Sequence, residues 1–475
     1  MLQFKIANNQ SKNMSVTSFF DNEFSSINLN DTRLNSRAIN IGNSFIQYPG
    51  SCIQQVMSSK NQARCAYDFF SNPKIGWISL IEPHKEQTKQ RIVESEGDFI
   101  YVIQDSTFYN YTDHKAKIDL GLIGKQGSFS QFGFLQHTSL CINSNDLPLG
   151  ILEIDFMGYE DDEKYTSHRK GFEDIASSRW RRFLSSNMEQ LKDVGEDKKI
   201  ILLCDREADF FEFHYDLSNS ACNFVIRCKY DRYTGKSARA RQNRISKLIE
   251  AQTELGTVAL KITDSHTHEE YESVFYLKSL SEILIPPVHR GAGHPQNKLA
   301  PIKMNVVEAN DGKNKWVLFT NLPVNTLQDV IFVVESYKKR WHIESFHKVL
   351  KTAYNADKVY LHSSRNAIQN LLTIVNIAAS KTYCFIHQAR SGGKILSNQF
   401  FSLEEIKAVS IFLSHKFIGN KEVPNLQDFY YQIAELGGYK NKQNKYPPGI
   451  LTIYRGMQKL QNITGMYKAM LSIKT

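Results

Sequence analysis

The chain has 475 residues, 41% of them apolar and 23% charged, with a net charge of +9. That length holds two or three domains with a sizeable core, and the balance excludes a disordered or collagenous chain. No apolar run reaches membrane-span length and the N-terminal MLQFKIANNQSKN has no apolar h-region. The seven cysteines, at 52, 65, 141, 204, 222, 228 and 384, form no CxxC pair, so a cytoplasmic protein with reduced thiols and no zinc site is expected.

The charge is unevenly placed. From Ser345 to Thr475 there are 17 Lys plus Arg against 6 Asp plus Glu, a net of +11, which leaves −2 for the remainder. A second basic stretch, RCKYDRYTGKSARARQNR (227–244), lies mid-chain. Such patches suit a polyanion such as nucleic acid, and plain solubility explains them equally well.

In chain order, residues 1 to about 70 read as short helices broken by polar turns, with Asp31 as an N-cap and a second helix in KNQARCAYDFFSNP (60–73). DFIYVIQDST (98–107) reads as a buried strand that ends on Asp105. GFLQHTSLCI (133–142) and LGILEIDFMGY (149–159) are two more strands, joined by a hairpin turn at SNDLP. A helix over about 167–193 follows, and KKIILLCDREADF (198–210) is a buried strand ending on Asp205, which caps the next helix. Glu207 and Asp209 suit the dipole of that helix's first turn. NFVIRCK (223–229) is a further strand, and residues 230–315 read as a β-rich insertion with a loop at GAGHPQNK (291–298). KWVLFTNLP (315–323) is a strand and turn before a long helix, and the chain beyond about 365 is mostly helical. Strand, hairpin, helix, strand is an α/β layout around a mixed sheet.

The long helix carries SYKKRWHIESFHKVLK (336–351), with five Lys or Arg and one carboxylate, Glu344. At about 100° per residue, Tyr337, Arg340, Glu344 and Lys351 share one face about 60° wide. Two readings are open. Glu344 can bridge Arg340 and Lys348 on a solvated helix. Alternatively, Glu344 is a magnesium ligand, and the cations hold the phosphates that the metal serves. Asp105 and Asp205, at the carboxyl ends of buried strands where ligands gather, supply the further acids the second reading needs. Each Asp also has a local role open to it, as a turn residue or a helix cap.

The spacing Tyr337-x2-Arg340-x3-Glu344-x6-Lys351 resembles the Y-R-E-K signature of DDE transposases of bacterial insertion sequences, the IS-four group. CDREAD (204–209) and IQDST (103–107) resemble the segments around that family's first two acids, and KWVLFTNLP, FVIRCK and the LGG and PPG turns extend the likeness. The resemblance implies an RNase H-like catalytic domain over 71–365 with a β insertion at about 230–315. It implies a helical domain for DNA-end recognition at 1–70 and a helical dimerisation domain at 366–475. It implies a catalytic triad of Asp105, Asp205 and Glu344 holding two Mg2+ or Mn2+ ions. Tyr337, Arg340, Lys348 and Lys351 would contact phosphates, Trp316 would stack a flipped base, and Arg227 and Lys229 would track DNA. Arg37, Tyr48 and Lys60 fall at plausible positions for reading the end sequence, though residues 1–98 net only +1. The implied protein is a homodimer on double-stranded DNA, cytoplasmic and nucleoid-associated, that cuts and pastes transposon ends through a hairpin.

A nuclease of the same fold and an inactive DNA-binding derivative remain as rivals. GLIGKQGS (121–128) is not a P-loop, because Gln126 stands where Ser or Thr should follow the Lys.

Overall fold

A computed structural model describes residues 19–113, 120–126, 129–158, 178–194, 197–235, 243–263, 270–286, 299–358, 364–413, 423–440 and 447–473. The start of the expected helix at 167–177, the loop 291–298 and parts of the basic stretches 227–244 and 437–449 lie outside these residues. The chain divides into two units, one of Lys85–Thr112 with Leu120–Ser345, the other of Met1–His84, Asp113–Asp119 and Phe346–Thr475.

The first of these units is built on a mixed sheet of ten strands. They are β1 Phe99–Asn110, β2 Gly121–Gln126, β3 Phe129–Asn143, β4 Pro148–Met157, β5 Lys199–Cys204, β6 Asn223–Arg227, β7 Gly256–Thr263, β8 Glu270–Leu284, β9 Ile302–Asn310 and β10 Lys315–Thr320. The order is β2-β3-β1-β5-β6-β10-β9-β8-β7, with β4 on β3. β1, β5 and β6 are parallel neighbours, and the remaining pairings are antiparallel. The run Ile201–Cys204 is buried throughout, as a parallel strand covered on both faces must be. Helix Ser178–Leu191 lays Trp180, Leu184 and Leu191 into the same core as Leu202, Phe213, Phe224 and Phe319.

One expectation changes here, the end of β1, and the β-rich segment gains a place in the sheet. β7, β8 and β9 continue the core sheet through β10, so the strands expected as an insertion share one hydrogen-bonded surface with β1, β5 and β6. β1 does not end on Asp105: its antiparallel partner β3 carries it on to Asn110. Only its parallel pairing with β5 stops near the acid, at Ile103↔Leu203. GLIGKQ, expected only as not a P-loop, is the short strand β2.

The other unit is helical. Its helices include Thr32–Gln47, Lys60–Phe70, Arg365–Arg390, Leu426–Leu436 and Ile450–Ile473. Asp31 caps the first of these, accepting from the Arg33 N–H at 2.9 Å. Arg365–Arg390 is buried along most of its length, as a central helix is. Within it, Asn370 donates to the Phe70 and Ile75 carbonyls at 3.1 and 3.0 Å, closing off the end of Lys60–Phe70. Gly437 and Gly456 let the last two helices touch: a Cβ at either would lie 1.9 Å from the Thr452 or Ile433 carbonyl oxygen. Among the described residues, no helix is long and apolar enough to cross a membrane.

Candidate active site

The sheet sets the two Asp side by side. Asp105 and Asp205 both lie two residues past the last β1–β5 pair, Ile103↔Leu203. The Asp205 carboxylate accepts from the Glu207 N–H at 2.9 Å, capping a single 3-10 turn, Arg206–Ala208. The Asp105 carboxylate accepts from the Ser106 N–H at 2.8 Å. Burial pushes the Asp105 carboxyl up to about 7, the neighbouring Asp205 adds to the rise, and Arg340 opposes it.

That shift fixes a sign. A free aspartate titrates near 4, so between about pH 4 and 7 the folded protein holds a proton that the unfolded chain has released. The stability this gives is complete below pH 4 and is lost as the pH rises through 7. Without divalent ions, Asp105→Asn is therefore expected to raise the melting temperature at pH 8 by at least about 2 °C. The gain should vanish near pH 4. Thermal denaturation in chelator at the two pH values checks this, and an equal gain at both would contradict it.

Glu344 arrives from a helix that is not continuous. Leu327–Lys338 ends at Lys339, and Trp341–Thr352 begins two residues on. Across the junction the N–H groups of Lys339, Arg340, His342 and Ile343 bond to carbonyls three residues back, at 3.0–3.2 Å. Such a turn advances each residue by about 120°, so a wheel at 100° does not run unbroken from Tyr337 to Lys351. The cause is a divided pull. Lys339 Nζ donates to the Ser144 carbonyl at 3.2 Å and to Asp146 at 2.5 Å, in the β3–β4 hairpin. Arg340 turns instead to the acids: it pairs with Glu344, and its Nη1 lies 3.8 Å from Asp105 Oδ2.

Tyr337 still meets Arg340, whose guanidinium carbon stands 5.9 Å from the centre of the Tyr337 ring and 5.5 Å from that of Trp341. Burial works against the Arg340 charge, but Tyr337, Glu344 and Asp105 outweigh it and hold the guanidinium above its usual value. Burial lowers the pKa of Arg227. The Nε groups of Arg227 and Arg340 are buried and have no hydrogen-bond partner. Among the described residues, no three His, Cys, Asp or Glu side chains stand ready to hold a metal ion together. The third acid, Glu344, is paired with Arg340.

Other expected residues are placed differently. Trp316, on β10, is only 7% exposed, with Phe275 at 5.3 Å and Tyr337 at 5.6 Å between ring centres, so its faces are covered by side chains. Lys348 is exposed one turn beyond Glu344. Lys351, partly buried on the same helix, has its pKa lowered by that burial. Lys229 is exposed, and its backbone N–H donates to Asp209 at 2.6 Å. Arg37 and Tyr48 are partly exposed and Lys60 fully, all three in the helical unit.

Residues 182–380 match the transposase DDE domain family, and residues 16–75 match the transposase DNA-binding family. Together they support a DDE transposase. The DDE match contains Asp205 and Glu344, and Asp105 lies before it. The DNA-binding match contains Arg37, Tyr48 and Lys60. The DDE match takes in β5 to β10 and runs on into the helical unit, and the two matches support DNA as a partner.

Sequence reasoning misread Asp209 of CDREAD, while Glu207 does lie in the first turn after Asp205. Asp209 is no dipole acid on a helix surface: it is buried, and His214, Arg232 and the N–H groups of Lys229 and Tyr230 surround it. Glu207 pairs with Arg179 at 2.5 Å. Neither partner lies within reach of a local periodicity; His214, five residues on, was the one available signal for Asp209.

Proposed function

We propose that Asp105, Asp205 and Glu344 form the catalytic triad of a cut-and-paste transposase of the IS-four group, with an RNase H-like core. The observation that carries this is the placement of two acids at one level of neighbouring parallel strands, with the third paired to an arginine that also faces the first. The donor set fits Mg2+ or Mn2+. Both ions take carboxylate oxygens, and Asp105 and Asp205 are crowded enough to resist sharing negative charge without a cation. Two such ions, when bound, would activate a water or a 3′-hydroxyl and neutralise charge on the scissile phosphate.

The side chains supply the rest. Arg340 keeps Glu344 occupied until a DNA phosphate competes for the guanidinium, which releases the carboxylate to the two Asp. The buried Nε donors of Arg227 and Arg340 then gain the acceptor they lack; an unmet buried donor costs about 1–3 kcal/mol. Tyr337 adds a phenol to this lining and Lys229 a cation at its β6 end, and Lys348 and Lys351 are further phosphate contacts in the same reading. Trp316 serves a flipped base only if Phe275 or Tyr337 moves aside. The helical parts are assigned end recognition, through Arg37, Tyr48 and Lys60 at 1–70, and dimerisation at 366–475.

The test is a duplex bearing the element's own terminal repeat, incubated with Mg2+. Blunt or hairpin-ended release followed by joining to target DNA is expected. Nicking without preference for the repeat, and no joining, would replace the transposase with a nuclease.

A further inference from the structure

Beyond the side chains that would face an ion, one buried arginine reaches both candidate ligands at second hand. Arg179 is 5% exposed, near the start of helix Ser178–Leu191, with its guanidinium carbon 5.6 Å from the Trp180 ring centre. Its Nε donates to Ser106 Oγ at 3.0 Å and its Nη2 to Glu207 Oε2 at 2.5 Å. The same two residues hold the acids: the Ser106 N–H donates to Asp105 Oδ1 at 2.8 Å, and the Glu207 N–H to Asp205 Oδ1 at 2.9 Å. His137 Nδ1, 2.8 Å from Ser106 Oγ, fixes that hydroxyl from β3.

The sheet sets the level of the two acids and holds Asp105 against Thr138 of β3, but no direct ladder ties the two to each other. The β1–β5 ladder stops at Ile103↔Leu203, two residues short of each acid. Beyond it two carboxylates neighbour each other without a direct backbone tie between their strands, and when both are charged their repulsion would spread them. We propose that Arg179 is a positioning residue, a clamp that sets the separation and orientation of the Asp105 and Asp205 carboxylates for divalent cations. It fixes the side chain of each residue whose N–H anchors an Oδ1, which sets the direction of each Oδ2; that of Asp105 faces Arg340. A lysine could hold one arm but not both, because the fork of the guanidinium spans two acceptors. Partners of this indirect kind typically change metal affinity by about 10–100-fold when removed.

The inference rests on the triad reading above, and the experiment separates the two. Mn2+ binding to the full-length protein is measured by calorimetry, without DNA or catalysis, for wild type, Arg179→Met, Arg179→Lys, Ser106→Ala and Asp205→Asn. Arg181→Met is the structural control: Arg181 lies on the same helix and pairs with Asp216, away from the acids. We expect Arg179→Met to weaken Mn2+ binding about 10–100-fold. Arg179→Lys and Ser106→Ala should each give part of that loss, and Arg181→Met should bind as wild type does. Should Arg179→Met fail to fold, Ser106→Ala and Arg179→Lys decide alone. Wild-type binding that Asp205→Asn abolishes and the Arg179 and Ser106 variants retain overturns the clamp and leaves the triad standing. An equal loss in Arg181→Met also overturns the clamp, by reducing it to helix packing. No Mn2+ binding by wild type overturns the clamp, and binding indifferent to Asp205→Asn overturns both.

Discussion

Asp205→Asn is expected to lower cleavage of a terminal-repeat duplex by on the order of 10³–10⁴-fold, the scale seen when one member of a catalytic unit is removed. Stability should hardly move. Asparagine caps a turn as well as aspartate does, so the Glu207 N–H keeps its acceptor and the 3-10 turn persists. What the amide loses is the negative charge and the second anionic oxygen that a divalent cation needs. DNA binding should stay near the wild-type level, because the cations that hold phosphate are untouched. A gel assay of cleavage alongside a filter assay of binding makes the comparison. If Asp205→Asn cuts as well as wild type, Asp205 is a cap and nothing more.

The second large effect concerns folding. Asp209→Ala should destabilise the protein by about 3–5 kcal/mol, because breaking a buried pair strands the charge that remains. Asp209 is 1% exposed and accepts from Lys229 N–H at 2.6 Å, Tyr230 N–H at 2.9 Å and Arg232 Nε at 3.0 Å. His214 Nε2 lies 2.9 Å away, itself fully buried. Burial alone would raise the Asp209 pKa, but His214, Arg232 and the Tyr230 N–H hold it well below the usual value. Its contribution is therefore present above about pH 4 and is lost as the pH falls further, the reverse of Asp105. The urea midpoint of the variant at pH 7 reads the effect. A change below about 1 kcal/mol would show that this tie, which joins the end of β6 to CDREAD, carries little of the fold.

Much of this was legible from sequence, and the limits have physical causes. The buried strand IILLC is apolar without alternation, as a parallel strand between covered faces must be, and it stands where the sequence puts it. Asp205 as a cap follows from residue type and position alone. The extent of β1 did not, because what carries it past Asp105 is β3, over twenty residues away in the chain. The break in the long helix between Tyr337 and Glu344 was not legible for a related reason. Lys339 and Arg340 are pulled toward a hairpin and toward the acids, and a wheel drawn from the sequence contains neither. The ties Arg179–Glu207 and Asp209–Arg232 span 28 and 23 residues, so no local period announces them. Trp316 was legible as a strand tryptophan; that Phe275 and Tyr337 cover it depends on β8 and on the helix after β10.

The central claim is that Glu344 leaves Arg340 and joins Asp105 and Asp205 around divalent ions when DNA arrives. Crystals of the protein with a terminal-repeat duplex and Mn2+, read by the anomalous signal of manganese, test it directly. The account predicts manganese bound by all three carboxylates, with Arg340 on a DNA phosphate. Manganese bound elsewhere, or an Arg340–Glu344 pair that persists beside the DNA, would contradict it.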